Sequence, residues 1–565
     1  MEKKEIMFID NIPVEINGER NLLELIRKVG IILPTFCYHS ELSIYGACRM
    51  CMVEDEKGRL EAACSTPPRA GMSIRTNTER LRRYRKVILE LLLAHHCRDC
   101  TTCASNEKCK LQDLARTFHI AGVRFPNTAA EPKVDDSSLC IVKDQNKCIL
   151  CGDCVRTCNE VQNVGAIDFA HRGSKMTIST AFGVPLAESP CVGCGQCVAA
   201  CPTGALMVRN DVSKVSHAIA RPDVTVSVQV APAVRVGLGR ACGLQTGEEA
   251  MGKIVAALRR LGFDEVYDTS TGADLTVMEE SEELLSRLES GENLPLITSC
   301  CPGWVQFAEK RYPEFLPNVS TCRSPMQMLA GVVKEQKKGA EKKHVHVAVM
   351  PCTAKKFEAA RPEFRDENGG PMTDYVLTTE ELIRMIDEAG MVFSELEPEA
   401  VDSPLHEKSG AGVIFGVTGG VTEAVLRRIS EDKTGSSLQR IAFSGVRGFD
   451  GLRETTVTYK DREVRIAVVS GLANASRLLD GVKAGTCRYD FIEIMACPGG
   501  CVLGGGQPFI HNEEKELRGK GLYKADKVCS IRRSEDNPLM KQLYEGVLKE
   551  KRHELLHVHY GRDAE

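Results

Sequence analysis

The segment Leu294–Trp304, with the sequence LPLITSCCPGW, decides how the second half of the chain is built. Its apolar first half predicts a buried β-strand, and the strand runs directly into two adjacent cysteines. Val345–Met350 and Phe491–Met495 are similar apolar segments, and each is followed two residues later by a cysteine. Because ligands in parallel sheets bind beyond the carboxyl ends of the strands, we expect these cysteines to meet at one edge.

The residues around these segments predict further strands that alternate with helices. Gly247 to Leu261 has the apolar spacing of a helix. Additional strands are predicted at 224–228, 412–417 and 466–470. This alternation is typical of an α/β domain with largely parallel sheets.

The bulk composition limits the classes of protein. A chain of 565 residues is expected to hold several domains, and its net charge of −4 argues against binding nucleic acid. We find no apolar run of membrane-spanning length and no signal peptide, so the chain is predicted to be cytoplasmic and not to bind membranes. In such a chain, 26 cysteines indicate metal binding rather than disulfides.

The first eighty residues predict a small α+β domain with one cysteine site. Residues 6–16 have the pattern of a β-hairpin, and Asn21 is placed to cap a helix that ends at Gly30. The cysteines that follow have the spacing C-x10-C-x2-C-x12-C, which suits a four-thiolate [2Fe–2S] cluster. They are Cys37, Cys48, Cys51 and Cys64. A structural zinc site is the alternative.

A second group of ligands follows the helix predicted from Glu79 to His95. It has the spacing H-x3-C-x2-C-x5-C and consists of His96, Cys100, Cys103 and Cys109. The spacing favours His96 over its neighbours His95 and Cys97 as the fourth ligand. A histidine brings no thiolate charge, so it is expected to raise the potential of a [4Fe–4S] cluster.

Two copies of C-x2-C-x2-C-x3-C come next, and this repeat is typical of two-cluster bacterial ferredoxins. In that motif each fourth cysteine binds the other cluster. One [4Fe–4S] cluster is therefore predicted on Cys148, Cys151, Cys154 and Cys201, and the other on Cys191, Cys194, Cys197 and Cys158. The first two hundred residues thus predict a chain of four clusters for electron transfer.

The strand-end cysteines of the second half predict one more [4Fe–4S] cluster. They lie in Thr298–Trp304, Met350–Glu358 and Glu493–Pro508. Glycines between Cys497 and Cys501, and the run that follows them, allow the backbone to approach a bulky inorganic group, although such a run could equally be a flexible turn.

Together these three motifs resemble the signatures of the [FeFe] hydrogenases, which interconvert protons and H2. The resemblance extends from about residue 5 to the C-terminus, and its N-terminal part is shared with the large iron–sulfur subunit of NADH dehydrogenases. It implies that Cys301, Cys352, Cys497 and Cys501 hold the [4Fe–4S] part of the H-cluster. Cys501 would then bridge to a diiron unit carrying CO, CN⁻ and a dithiolate.

The resemblance also implies roles for residues around the diiron unit. Lys355 would donate a hydrogen bond to a cyanide, whereas outside the motif it would be taken for a surface lysine. Met350 and Met495 would pack against the diiron unit, although ordinary core methionines explain them equally. Pro232 and Ala233 would line the same pocket, as would Met326, at a position where the family often has glutamine.

A proton path is the last feature that the resemblance implies. Cys300 would be the proton donor beside the open iron; otherwise it is a small buried residue. Glu280, Ser320 and Glu283 would continue the path to solvent, with Arg287 as the outer partner. The alternative for the two glutamates is an acidic first turn of a helix.

The sequence therefore predicts a multidomain α+β and α/β protein. Its parts are a ferredoxin-like [2Fe–2S] β-grasp domain, a His-ligated [4Fe–4S] module, a two-[4Fe–4S] module and an α/β catalytic domain, at 1–78, 79–138, 139–210 and 211–565. Expected partners are ferredoxin or another redox protein, NAD(P)-linked subunits and maturation proteins. There are two alternative functions. The first is an iron–sulfur subunit of the NADH-dehydrogenase type, which would not explain the motifs in residues 298–508. The second is an H2 sensor or an iron–sulfur assembly protein.

Overall fold

The computed structural model describes residues 5–127, 134–430, 432, 434–460, 462–510 and 514–561. The chain divides into two compact units, and the boundaries of the four predicted domains stay a prediction. The first unit comprises Met1–Val161, Gly165–Ser189 and Ala200–Met207, and the second comprises Gln162–Val164, Pro190–Ala199 and Val208–Glu565.

The first unit begins with a five-stranded sheet. In spatial order its strands are Ile12–Glu15, Ile6–Ile9, Ser73–Arg75, Met52–Asp55 and Leu60–Ala62. The predicted hairpin is confirmed, and its turn residues Asp10 and Asn11 have φ of 49° and 70°. Asn21 caps the helix Leu22–Lys28 as predicted by accepting a hydrogen bond from Glu24 N at 3.1 Å.

Further helices and short strands complete the first unit, and most of its other cysteines lie on the loops between them. Its further helices are Glu79–Ala94, Lys110–Thr117 and Asp153–Arg156. Its further strands are Val134–Asp135, Ile141–Asp144, Asp168–Ala170, Thr177–Ser179 and Leu206–Val208. The helix predicted from Glu79 is confirmed, and the Thr78 hydroxyl accepts a hydrogen bond from Leu81 N at 3.2 Å.

The second unit contains two four-stranded sheets. The first is entirely parallel, in the order Glu265–Asp268, Val224–Val230, Lys343–Met350 and Tyr375–Thr378. The second has the order Leu296–Ile297, Phe491–Met495, Arg462–Ser470 and Leu452–Tyr459, and only the last pair is antiparallel. The prediction of largely parallel sheets is confirmed, and β-branched residues dominate the buried strands.

Helices pack around both sheets. They are Val212–Ile219, Met251–Arg260, Ser270–Ser290, Pro302–Arg311, Pro325–Gln336, Ala354–Ala360, Thr379–Glu388, Gly410–Val413, Gly420–Ile429, Gly435–Ile441, Leu472–Lys483, Lys515–Val528, Pro538–Glu545 and Arg552–Leu556. The helix Gln196–Ala200 lies at the point where the chain passes between the units. Among the described residues, no helix is both long and apolar enough for a membrane span.

Three sequence predictions of elements differ from the structure. The strand predicted at 412–417 is wrong, because Gly410–Val413 is an α-helix that continues as the 3-10 turn Ile414–Gly416. The strand predicted at 294–298 is shorter, Leu296–Ile297, and the helix predicted from Gly247 begins at Met251. An apolar run of six residues does not distinguish a buried helix turn from a buried strand.

Candidate active site

An apolar cavity lies beyond the strand ends of the second unit. Four cysteines from the three motifs line it: Cys301, Cys352, Cys497 and Cys501. Cys301 precedes the helix Pro302–Arg311, and its sulfur accepts a hydrogen bond from Ala496 N at 3.3 Å. The structure thus brings together residues that are two hundred positions apart in the chain.

These four thiols fit an iron–sulfur cluster chemically. Burial raises the pKa of the Cys352 thiol to about 12 and raises the pKa of Cys301, Cys497 and Cys501 as well. A thiolate in this apolar cavity therefore needs a nearby positive charge, which bound iron supplies. No group of three His, Cys, Asp or Glu side chains in the described part of the chain could hold a single metal ion.

The predicted pocket residues line the same cavity. Pro232, Ala233, Met350, Met495 and Met326 all contribute to its wall. They follow or end strands of the two sheets, except Met326, which lies in the first turn of the helix Pro325–Gln336.

Lys355 is buried at the edge of this cavity, so the alternative of a surface lysine is wrong. Its Nζ donates to Glu358 Oε2 at 2.7 Å and to the carbonyl oxygen of Cys300 at 3.3 Å. Burial alone would lower the pKa of Lys355, but the charge and hydrogen bond of Glu358, together with Cys352 and Cys300, outweigh burial and raise the pKa. The ammonium group therefore persists beside the cavity and can donate to an anionic ligand.

Cys300 also lines the cavity, and Glu280 lies behind it. Burial and the charge of Glu280 raise the pKa of the Cys300 thiol well above its usual range. Glu280 is fully buried, and neither carboxyl oxygen has a hydrogen-bond partner among the described residues. Burial, assisted by the charge of Glu283, raises the pKa of Glu280 to about 8, so this group can hold or release a proton near neutral pH.

Ser320 and Glu283 continue from Glu280 toward the surface. The Ser320 hydroxyl donates to Glu283 Oε2 at 2.8 Å, and Arg287 Nη2 donates to Glu283 Oε1 at 2.5 Å. Both glutamates lie in the middle of the helix Ser270–Ser290, so the alternative of an acidic first turn is wrong. Their spacing of three residues places them on one side of this helix.

The sequence did not identify several lining residues. Thr269 follows the strand Glu265–Asp268, which was not predicted. Phe415 and Gly416 belong to the turn for which a strand was predicted. Glu493 is also buried beside this region and accepts from Gly419 N at 2.6 Å and Thr422 N at 2.8 Å. The cysteine motifs themselves do not indicate that these residues contact the cavity or its surroundings.

The glycine run after Cys501 is required for contact with protein backbone. A Cβ on Gly505 would lie 2.6 Å from the carbonyl oxygen of Cys194, and one on Gly504 would lie 2.2 Å from that of Pro351. The loop that carries Cys194 thus lies directly against the loop that carries Cys497 and Cys501 within the second unit. This contact suits electron transfer between groups held by the two loops.

In the first unit, the four cysteines before residue 65 lie together. Phe36 N donates to Cys48 Sγ at 3.4 Å and Cys48 N to Cys37 Sγ at 3.3 Å. Contact with Cys37 lowers the pKa of Cys48 to about 5, and contact with Cys64 lowers the pKa of Cys51. Two pairs of neighbouring sulfurs, supported by amide donors, fit a two-iron cluster.

Three cysteines of the second predicted ligand set, Cys100, Cys103 and Cys109, lie near one another. Burial raises the pKa of the Cys109 thiol, and the nearby Cys103 and Cys100 raise it further. His96 is buried, whereas His95 is exposed, and His96 Nδ1 has no hydrogen-bond partner among the described residues. Burial lowers the pKa of His96, so its ring is neutral and can bind metal.

The repeated cysteine motifs are divided between the units. Cys148, Cys151, Cys154 and Cys201 line one cavity in the first unit. This is the arrangement predicted for the first cluster, in which the fourth cysteine comes from the other motif. Cys158 belongs to the first unit, and Cys191, Cys194 and Cys197 belong to the second. The ligand set of the second cluster stays a prediction.

Family models match the chain in five consecutive regions. They are a 2Fe-2S iron-sulfur cluster binding domain at 4–79, the NADH-ubiquinone oxidoreductase-G iron-sulfur binding region at 85–124, a 4Fe-4S dicluster domain at 147–205, the C-terminal domain of the iron only hydrogenase large subunit at 224–505 and the iron hydrogenase small subunit at 512–563. The region 224–505 alone contains every residue that lines the cavity.

Relatives match nearly the whole length. The NADP-reducing hydrogenase subunit HndD of Solidesulfovibrio fructosivorans is 42% identical over 98% of this chain and 98% of its own. Iron hydrogenase 1 of Clostridium pasteurianum is 35% identical over 98% of this chain and 100% of its own. A structure of a variant of the [FeFe]-hydrogenase HydA1 from Chlamydomonas reinhardtii is 40% identical, covers 62% of this chain and 99% of its own, and has a TM-score of 0.55. The chain therefore belongs to the [FeFe] hydrogenases, and it carries accessory [2Fe–2S] and [4Fe–4S] domains for electron transfer ahead of its H-cluster domain.

Proposed function

We propose that Cys301, Cys352, Cys497 and Cys501 hold the [4Fe–4S] part of the H-cluster, with Cys501 shared with the diiron unit. The observation that carries this proposal is the apolar cavity in which these four cysteines meet beside Cys300 and Lys355. When bound, the H-cluster supplies the redox chemistry that interconverts two protons, two electrons and H2. Lys355 offers a positive hydrogen-bond donor to its anionic ligands, and Met350, Met495, Pro232 and Ala233 exclude water.

The proton reaches the cavity through Cys300, Glu280, Ser320 and Glu283. Cys300 is the group on the cavity wall, and its raised pKa keeps the thiol protonated. Glu280 can replace a proton lost from Cys300, because its own pKa is raised to about 8 by burial and by Glu283. Ser320 neighbours the Glu280 carboxyl and its hydroxyl donates to Glu283, so Glu283 can supply Glu280 through Ser320.

Electrons arrive through four accessory clusters. The proposed ligands are those predicted from the motifs: one [2Fe–2S] cluster on Cys37, Cys48, Cys51 and Cys64, one [4Fe–4S] cluster on His96, Cys100, Cys103 and Cys109, and two [4Fe–4S] clusters on the repeated motifs. The grouping of thiols in the first unit supports the first two sets and the set that includes Cys201. The contact of the Cys194 loop with the Cys501 loop supports delivery to the cavity.

Partner subunits are the remaining part of the proposal. The full-length similarity to one component of an NADP-reducing hydrogenase supports an NAD(P)-linked partner, and a ferredoxin is the second candidate. Maturation proteins are needed to build the diiron unit, and a cytoplasmic location suits these partners. Assays of H2 evolution with ferredoxin and with NADPH, each with and without co-purified partner proteins, distinguish the two donors.

The ligand assignment is tested with Cys501→Ala after co-expression with maturation enzymes. We expect the variant to lose H2 evolution with reduced viologen and the infrared bands of CO and CN⁻, while the clusters of the first unit keep their spectra because their ligands are separate. Infrared bands of normal intensity in this variant would contradict the bridging role of Cys501.

A further inference from the structure

The outer end of the proton path must exchange protons between Glu283 and solvent. Arg287 covers Glu283, but its guanidinium also donates to the carbonyl oxygens of Asn293, Asn318 and Val319 at 2.9, 3.0 and 3.2 Å. An arginine stays protonated at any ordinary pH and has no acceptor. Arg287 can therefore orient Glu283, but it cannot hand a proton to it.

A second hydrogen-bonded route leaves Glu283 on its other side. The Thr321 hydroxyl lies 3.2 Å from Glu283 Oε2 and 2.9 Å from His557 Nδ1. His557 Nε2 lies 2.9 Å from Glu279 Oε2. A hydroxyl and an imidazole both donate and accept, so every link in this route can pass a proton.

We propose that His557 loads protons onto Glu283 through the Thr321 hydroxyl. In this step the Nδ1 proton of the His557 imidazolium moves to Thr321 Oγ1, and the hydroxyl proton of Thr321 moves to Glu283 Oε2. The ring is left neutral, and its Nε2 keeps a proton that is hydrogen-bonded to Glu279. A proton from solvent, the substrate of H2 evolution, then recharges the ring, and H2 oxidation runs the same steps in reverse.

The surroundings of His557 suit this role. Its side chain is 13% exposed, so the ring reaches both solvent and the buried path. The ring of His553 stacks on it with centroids 5.0 Å apart, and His559 lies 6.1 Å from His553. Both of these histidines are exposed, and an imidazole can accept and donate a proton, so together they can collect protons at the surface.

Charged groups around the ring balance its positive form. Glu279 accepts from His557 and from Arg552, and these hydrogen bonds outweigh burial and lower the pKa of Glu279. The carboxylate thus stands opposite the imidazolium, with Arg552 beyond it. Arg323 approaches the His557 backbone instead, where Nε donates to the carbonyl oxygen at 2.9 Å.

The backbone holds His557 in register with the path. His557 forms an isolated β-bridge with Cys322, and Val558 N donates to the carbonyl oxygen of Thr321 at 2.7 Å. The C-terminal segment is therefore fixed against the strand-like residues that carry Ser320 and Thr321. This gives the segment a function in proton transfer in addition to packing.

The test measures H2 evolution by the maturated enzyme with saturating reduced viologen between about pH 5 and about pH 8, the interval in which imidazole groups in general change charge. The variants are His557→Ala, His557→Gln and Glu283→Gln, and His406→Ala, an exposed histidine outside the path, is the matched control. Infrared bands of CO and CN⁻ measure how much H-cluster each sample contains, and thermal unfolding shows that each variant is folded.

We expect His557→Ala and His557→Gln to lose about 10²-fold in turnover per H-cluster, since an acid–base group is removed from one step. Their pH–rate profiles are expected to lack the inflection of a histidine, and added imidazole is expected to restore His557→Ala. His406→Ala is expected to keep the parent rate and profile.

Two results would overturn the role of His557. One is full turnover with an unchanged pH profile in both His557 variants while Glu283→Gln is inactive. The other is a loss in His557→Ala that imidazole does not restore, because the side chain then only holds the tail in place. The inference rests on the proposed proton path: full activity of Glu283→Gln would remove that path itself, and with it the partner of His557.

Discussion

Cys300 stands one residue before a proposed cluster ligand, yet its place on the cavity wall beside Glu280 suits proton transfer. Ser keeps its size but is a far weaker acid, whereas Asp keeps an ionisable group of similar reach. We expect Cys300→Ser and Cys300→Ala to lose at least about 10²-fold in H2 turnover, the effect typical of an acid–base group, and Cys300→Asp to retain a measurable share. All three are expected to keep their iron.

Turnover is measured beside iron content and infrared bands for each Cys300 variant. Full activity in Cys300→Ala would remove this residue from the proton path. Loss of iron from Cys300→Ala would instead identify the residue as a ligand.

Glu280 allows a test that uses pH and stability as well as rate. Since folding raises the pKa of Glu280 from 4.5 to about 8, the native state binds the proton more tightly than the unfolded state. The contribution of Glu280 is therefore fully present below the unfolded pKa and is lost as pH rises toward 8. Glu280→Gln stays neutral, so we expect its melting temperature relative to the parent to increase from about pH 5 to about pH 8.

The same Glu280→Gln variant is expected to lose most H2 turnover, because an amide cannot pass the proton, by about 10²-fold or more. Circular dichroism melts at both pH values and a viologen assay provide the two measurements. A difference in melting temperature that does not change with pH would show that Glu280 is ionised in the native protein.

The segment after the helix Glu79–Ala94 is proposed to form a cluster site of its own. His96 is buried directly after that helix, with Cys100, Cys103 and Cys109 on the loop that follows. We expect His96→Ala to slow electron exchange with an external donor protein while the infrared bands of the H-cluster remain. His95→Ala is the matched control, because His95 is the exposed neighbour.

Electron paramagnetic resonance of the reduced accessory clusters, together with a ferredoxin-coupled assay, measures the effect of His96→Ala. Loss of the infrared bands in this variant would show that His96 supports folding of the catalytic domain. Equal loss in His95→Ala would remove the preference for His96.

The helix Ser270–Ser290 shows how one element can serve several purposes. It carries Glu279, Glu280 and Glu283, of which Glu280 and Glu283 belong to the proposed proton path and Glu279 pairs with the C-terminal segment. Gly272 allows this close packing, since a Cβ there would lie 2.2 Å from the carbonyl oxygen of Pro325. The position of the proposed proton path therefore depends on the packing of the helix Ser270–Ser290 against the helix Pro325–Gln336.

For the whole molecule, the proposed ligand sets predict the iron content. Four accessory clusters and the H-cluster correspond to about 20 iron atoms per chain, and to about 18 without the diiron unit. Protein expressed without maturation enzymes is expected to contain the lower amount, and maturated protein the higher. Metal analysis that finds mainly zinc would contradict the accessory clusters.

The sequence alone was sufficient for the cysteine motifs and for the elements with a strong, regular local pattern. The cysteine motifs indicated iron–sulfur sites, because cluster ligation needs fixed intervals along the chain, and strong apolar periodicity located the hairpin, the capped helix and the central strands. The three strand-end motifs together were specific enough to identify the family, which the full-length relatives then showed.

Tertiary structure decided what local pattern cannot express. The apolar run at 412–417 contains the end of the helix Gly410–Val413, which packs against the helix Ser270–Ser290, and its residue Phe415 lines the cavity. Only folding places His557 beside Thr321, more than two hundred residues earlier, and only burial raises the pKa of Glu280. Contacts between distant segments and the loss of water around a charge arise when the chain packs, so a one-dimensional pattern cannot determine them.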